Sequence, residues 1–208
     1  MGIRNVIGIF VLLGMCAAPV IGGLEEFTEV VRMRDDTGGT SGDYYGYSVA
    51  YDEVTAVVGA PGVNGNAGAV YLYTWSGTSM DLREVLEPTD LAASDLFGYS
   101  VAVDGDTVLI GTPWNDDKGA DAGAVYVYDI STDPATFSGK VYSWDELPGE
   151  EFGTSLAIDG TVFMAGSPFN SVANIREGSV TVYAYQASFG WSLNSALRPK
   201  LSGSDALF

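Results

Sequence analysis

Phe97-Gly98-Tyr99-Ser100-Val101-Ala102-Val103-Asp104-Gly105-Asp106-Thr107-Val108-Leu109-Ile110-Gly111-Thr112-Pro113 is the stretch that decides the fold. It sets an aromatic-glycine pair, two short apolar runs around an Asp-Gly, and a Gly-small-Pro triplet in one line. The same wording stands on either side of it. Tyr45-Gly46 leads to Gly59-Ala60-Pro61, and Phe152-Gly153 leads to Gly166-Ser167-Pro168, with the same gap in all three copies. A repeat of roughly 50 residues speaks for stacked or radially arranged units, because one such unit cannot bury its own apolar faces.

Each copy continues alike. A polar, glycine-rich loop precedes Gly68-Ala69-Val70-Tyr71-Leu72-Tyr73, Gly123-Ala124-Val125-Tyr126-Val127-Tyr128 or Gly178-Ser179-Val180-Thr181-Val182-Tyr183. Runs over Leu82 to Leu86, Lys140 to Leu147 and Trp191 to Leu197 follow. In the middle copy this pattern predicts strands over 99–103, 107–110 and 124–128, with a fourth near 140–144. Asp104-Gly105 and Asp159-Gly160 read as tight hairpin turns needing φ > 0 at both central residues, whereas Asp52-Glu53 predicts a looser one. Val125 to Tyr128 is apolar on both alternating faces, so both are expected to be covered, with the tyrosines packing between units. An all-β fold of four-stranded β-propeller blades meets these conditions.

The motif resembles the FG-GAP repeat of integrin α-subunit-like β-propellers. The likeness runs from Phe27 to Phe208 and rests on Tyr45, Gly46, Gly59, Pro61, Phe97, Gly98, Gly111, Pro113, Phe152, Gly153, Gly166 and Pro168. Tyr45 replaces the usual Phe, and Thr112 and Ser167 replace the usual Ala. The resemblance implies about three blades of a propeller that in this family has seven. Calcium-binding members carry a D-x-[DN]-x-D-G loop between the aromatic-glycine pair and the Pro triplet. Here that interval holds only a hairpin too tight to wrap an ion with six to eight oxygens, so the chain resembles the ion-free variant.

The chain divides into a leader at 1–23, an N-terminal strand within 24–42, repeats at 43–94, 95–149 and 150–204, and the start of a fourth copy at 205–208. Arg4, the apolar run Val6 to Met15 and the small residues Cys16-Ala17-Ala18-Pro19 have the layout of a secretory signal peptide, with an uncleaved membrane anchor as the alternative. The 24–42 segment reads as a lone fourth strand that could clasp a closed ring. Phe208 falls where the aromatic of a fourth copy belongs, so the remaining blades are expected in a longer chain or in a partner chain.

Composition narrows the partners. With 27 acidic against 9 basic residues among 208, the formal charge of −18 disfavours nucleic-acid backbones and anionic membrane surfaces. The chain has no His, which removes His-based triads and the usual zinc sites, and its single Cys lies in the leader. The densest polar loop is Asn115-Asp116-Asp117-Lys118-Gly119-Ala120-Asp121. Asp116, Asp117 and Asp121 are candidates for a weak Ca2+ site, although their spacing lacks the alternating ligand pattern; otherwise no cofactor is expected. Trp114 and Phe169 each follow the Pro of their copy. With Asn115, Asp116, Asp117, Asp121 and Asn170 they would form an aromatic and acidic loop surface. Asp43, Asp95 and Glu150, each two residues before the aromatic, read as caps of a turn.

The functional expectation is a secreted or cell-surface binding or adhesion module for a protein or glycan, without catalytic activity of its own. A carboxylate-dependent hydrolase or a propeller appended to an enzyme is the first alternative, and a structural surface-layer repeat the second.

Overall fold

The computed structural model describes residues 39–172, 175–187 and 190–198. The leader, most of the 24–42 segment and residues 205–208 lie outside these, so the expectations placed on them do too. The strands run in chain order β1 (Ser48–Asp52), β2 (Thr55–Ala60), β3 (Ala69–Trp75), β4 (Met80–Leu86), β5 (Ser100–Asp104), β6 (Thr107–Thr112) and β7 (Ala124–Asp129). They continue as β8 (Thr136–Val141), β9 (Ser155–Asp159), β10 (Val162–Ser167), β11 (Ser171–Val172), β12 (Ile175–Arg176), β13 (Ser179–Gln186) and β14 (Gly190–Leu197). Three four-stranded antiparallel sheets result, ordered β1-β2-β3-β4, β5-β6-β7-β8 and β9-β10-β13-β14, with β11-β12 as a small hairpin between β10 and β13. The only helical turn among the described residues, Val63–Asn66, has left-handed Asn64 and Gly65 at its centre.

These sheets are propeller blades. Their first strands lie side by side at the inner edge, β1 against β5 and β5 against β9. Apolar clusters fill both spaces between sheets. Val57, Val70, Leu72 and Leu86 of the first blade meet Phe97, Val101, Val108, Ile110, Tyr126 and Tyr128 of the second. One repeat later, Leu109, Val125 and Val127 meet Phe152, Phe163, Ala165 and Tyr183. Each blade thus has a front face that packs back onto its predecessor and a rear face that receives its successor. Central strands apolar on both faces are what this requires, and β7 is buried from Ala124 to Tyr128.

Three local expectations change. Asp104 pairs with Thr107, so the turn residues are Gly105 and Asp106, and of these only Gly105 has positive φ. Asp104 instead reaches the next blade, where its Oδ2 accepts the Gly160 N–H; Asp52 Oδ2 likewise accepts the Gly105 N–H at 2.7 Å. The first copy's turn is equally tight, since Asp52 pairs with Thr55 and Glu53 takes φ 48° in the place of glycine. The fourth strand of the middle blade is Thr136–Val141, earlier than the 140–144 expected, because a bulge opposite Val127/Tyr128 carries Phe137 and Lys140 into register with β7. Tyr142 to Leu147 consequently belong to the connection that leads to the third blade.

Candidate binding face

Antiparallel order puts all loops between second and third strands on the same side of the blades as the connections between consecutive blades. Backbone bonds tie the two sets together. Leu96 and Phe97 donate to the carbonyls of Asn66 and Ala67 at 2.9 Å, and Glu151 and Phe152 donate to those of Asp121 and Ala122 at 3.1 and 3.0 Å. This upper face carries every residue named as a candidate.

Asn115 and Asn170 lie beneath that face, 3% and 1% exposed. Asn115 Nδ2 donates to Asp95 Oδ2 at 3.2 Å, and Asn170 Nδ2 donates to Glu150 Oε2 at 2.6 Å and to Asp145 Oδ1 at 2.9 Å. The acids also cap the turns before them: Ala92 N–H donates to Asp95 at 3.0 Å, Leu147 N–H to Glu150 at 3.2 Å, and Thr40 N–H to Asp43. Each asparagine is a peg joining the loop after Pro to the carboxylate that opens its blade. Burial raises the Asp95 and Glu150 carboxyls above the ordinary carboxylate range, opposed by the N–H donors around them. In the first blade Val63 holds the peg position and packs against its apolar cluster.

The three loop aspartates do not converge. Asp116 Oδ1 accepts the Asp121 N–H at 2.8 Å, closing the loop on itself. Asp117 Oδ2 accepts from Lys140 Nζ at 2.5 Å and from Tyr142 OH at 3.0 Å. Lys140 also bridges to Asp90 at 2.8 Å and lies 4.8 Å from the centre of the Tyr126 ring. The Lys140 hydrogen bond holds Asp117 below the ordinary carboxylate range. Among the described residues no three acidic side chains are grouped to hold a metal ion.

The upper face offers several aromatic side chains to solvent. Trp114 and Trp144 are each 42% exposed and Phe169 is 36% exposed. Tyr44, beside Gly62, is exposed at the first blade. Arg198, ion-paired to Asp145 at 2.8 Å, lies 4.6 Å from the centre of the Trp144 ring, and Lys118 similarly caps Tyr142 at 4.7 Å. Neither Trp144 nor Tyr44 is among the candidates legible in the sequence: the repeat pattern assigns Trp144 to a strand, and Tyr44 precedes the aromatic-glycine pair rather than following a Pro. The signal available for both was an aromatic in an inter-blade connection.

The family model described as FG-GAP repeat matches residues 28–73 and 82–128. No curated protein matches the chain. Among solved structures the chain is similar to the crystal structure of Saccharomyces cerevisiae Sqt1, with 12% sequence identity and a TM-score of 0.49. That similarity covers 75% of this chain, which spans 36% of the Sqt1 chain.

Proposed function

Because this chain carries FG-GAP repeats folded as propeller blades, we propose that it is a binding or adhesion module whose upper face takes a protein or glycan ligand, outside the cell or at its surface. The observation that carries this reading is the contrast within one loop set. Trp114 and Phe169 are exposed, while Asn115 and Asn170, their immediate neighbours, are pegged to buried carboxylates. Exposed aromatics on anchored loops present contact area at little entropic cost, which is the make-up of interaction hot spots. Asp116 and Asp121 add exposed acceptors beside Trp114. The secretory layout of the leader favours the extracellular setting.

Asp145 and Glu150 form a carboxylate pair on this face, both bound to Asn170. Glu150 is 1% exposed and Asp145 is held by Arg198, an arrangement suited to clamping a loop rather than to meeting a substrate. A glycan array and a panel of extracellular-matrix proteins, probed with the wild type and with Trp114→Ala and Phe169→Ala, test the proposal. Binding should fall at least tenfold in the variants with the thermal midpoint kept. Binding that ignores both substitutions, or a variant that unfolds, would remove these aromatics from the role.

A further inference from the structure

The two blade boundaries close alike at their inner edge. Ser48 Oγ donates to Gly98 O at 2.7 Å and Ser100 Oγ to Gly153 O at 2.5 Å, so each aromatic-glycine pair sits in a cradle on the blade before it. At the hairpins of the outer strands, the end away from the upper face, the boundaries differ.

At the first boundary two long side chains of β4 cross to the second blade as a strap. Glu84 Oε2 accepts the Ala135 N–H at 2.8 Å, and Arg83 Nη2 donates to Thr132 O. There Ile130 is 6% exposed, and Ala135 packs on the cluster the two blades share. Register gives the matching residues one repeat later. Leu72 pairs with Glu84 and Val127 with Gly139, so Ser138 and Gly139 of β8 hold the places of Arg83 and Glu84. Tyr185 holds the place of Ile130: its N–H donates to Thr161 O at 2.8 Å, as the Ile130 N–H donates to Asp106 O at 2.8 Å. Trp191, paired with Tyr185, stands where Ala135 stands in the second blade.

Exchanging two long side chains for a hydroxymethyl and a hydrogen removes the strap and opens a groove. A Cβ on Gly139 would meet nothing within 4 Å. The cavity measures about 420 Å³, within the range of about 300–1,000 Å³ of small-molecule sites. The wall given by the third blade is aromatic: Tyr185, 49% exposed, and Trp191, with ring centres 5.4 Å apart. Trp191 rests in turn on Phe163 at 4.9 Å, which fixes the wall. The second blade contributes Asp106, Asp129, Ser131 and Ser138. Asp129 is held in place by the Ser131 N–H, which donates to its Oδ1 at 2.8 Å and leaves Oδ2 as an acceptor.

A pyranose matches walls of this make-up. Its C–H face lies against the negative face of an aromatic ring, and its hydroxyls, each donor and acceptor, meet carboxylates and serine hydroxyls at the edge. Two carboxylates and a net charge of −18 repel sulfated or sialylated sugars. We propose that the groove between the second and third blades is a sugar-binding site, taking a pyranose unit of a neutral glycan between Tyr185–Trp191 and Asp129. It lies on the other side of the blades from Trp114 and Phe169 and is independent of the upper face.

Saturation-transfer difference NMR of the full chain tests the proposal, with glucose, galactose, mannose, N-acetylglucosamine and their disaccharides at up to about 50 mM. At least one sugar should show transfer, with an affinity that falls about tenfold in Tyr185→Ala and in Asp129→Asn. Asp129→Asn keeps an acceptor for the Ser131 N–H, so it carries the test should circular dichroism show Tyr185→Ala misfolded. Ser138→Arg, which returns a strap residue without touching the rings or carboxylates, should abolish binding. Trp114→Ala should leave the affinity unchanged, which separates this site from the upper face. Transfer from none of the sugars refutes the proposal, including the case in which tetramethylammonium binds in their place. Transfer that survives any of the folded groove variants, or that is lost in Trp114→Ala, refutes it as well.

Discussion

Adding one methyl group at Gly111 and, separately, at Gly166 asks whether the blade boundary is as tight as its geometry implies. Both glycines lie in second strands, at the same position of the repeat, with φ outside the left-handed region, so only space distinguishes them. At Gly111 the new Cβ would sit 2.1 Å from Gly153 O and 2.3 Å from Ser100 Oγ. An ordinary carbon–oxygen contact needs about 3.3 Å, so the third blade must retreat by roughly 1 Å. Overpacking of this kind costs about 1–3 kcal/mol. Losing the Ser100–Gly153 hydrogen bond adds about 1 kcal/mol. The reduced freedom of the unfolded chain returns about 0.4–1 kcal/mol. The net loss is about 1–4 kcal/mol, or roughly 2–14 °C in thermal midpoint for a domain of this size. At Gly166 the single close atom is Ser155 Oγ at 2.5 Å, which rotates away, so Gly166→Ala should lie within about 1 kcal/mol of the wild type. Differential scanning calorimetry compares the two. Equal shifts, or a larger shift at Gly166, would refute the account of the boundary.

Asn115→Ala strips Asp95 of its side-chain donor in a buried setting and should cost about 1–3 kcal/mol in urea unfolding, while Trp114→Ala beside it should cost less than about 1 kcal/mol. Glu53→Gly relieves a left-handed backbone at a surface turn and should raise the urea midpoint by an amount worth up to about 1 kcal/mol. Glu150 has a folded-state pKa raised by burial above its ordinary 4.5, so the native state holds the proton longer than the unfolded chain. Its contribution therefore falls as pH rises from about 4.5 through the folded value. Urea titrations at successive pH values should show Glu150→Gln gaining on the wild type across that window, and a gap that stays constant would count against a carboxyl kept protonated by burial.

The fold was legible because its constraint is repetitive. A front face, a rear face and a glycine seam recur at fixed spacing, and three copies of one pattern outweigh any single propensity. Strand ends were less legible. The bulge opposite Val127/Tyr128 carries no residue signature of its own, so the fourth strand of the middle blade was expected too late and Trp144 was taken from the face it belongs to. Polar residues were the hardest to place. Asn115 looks like its neighbours Asp116 and Asp117 in a string of letters, yet it points into the protein toward an acid twenty residues earlier. Asp104 reads as a turn former, and its carboxylate instead fastens the following blade. Such pairings are set by how blades stack, a property of the whole array that no local window contains.

The matching of seam and cradle also governs how such a chain can change in length. A whole repeat inserted or deleted in frame leaves every junction between like surfaces, since each unit brings its own opening pair and its own receptacle. A cut at any other point leaves a half-junction that nothing in the remaining chain can satisfy. Gain or loss of one whole blade is therefore the change of length that keeps every junction, with the short connections just ahead of the aromatic-glycine pairs as its natural boundaries.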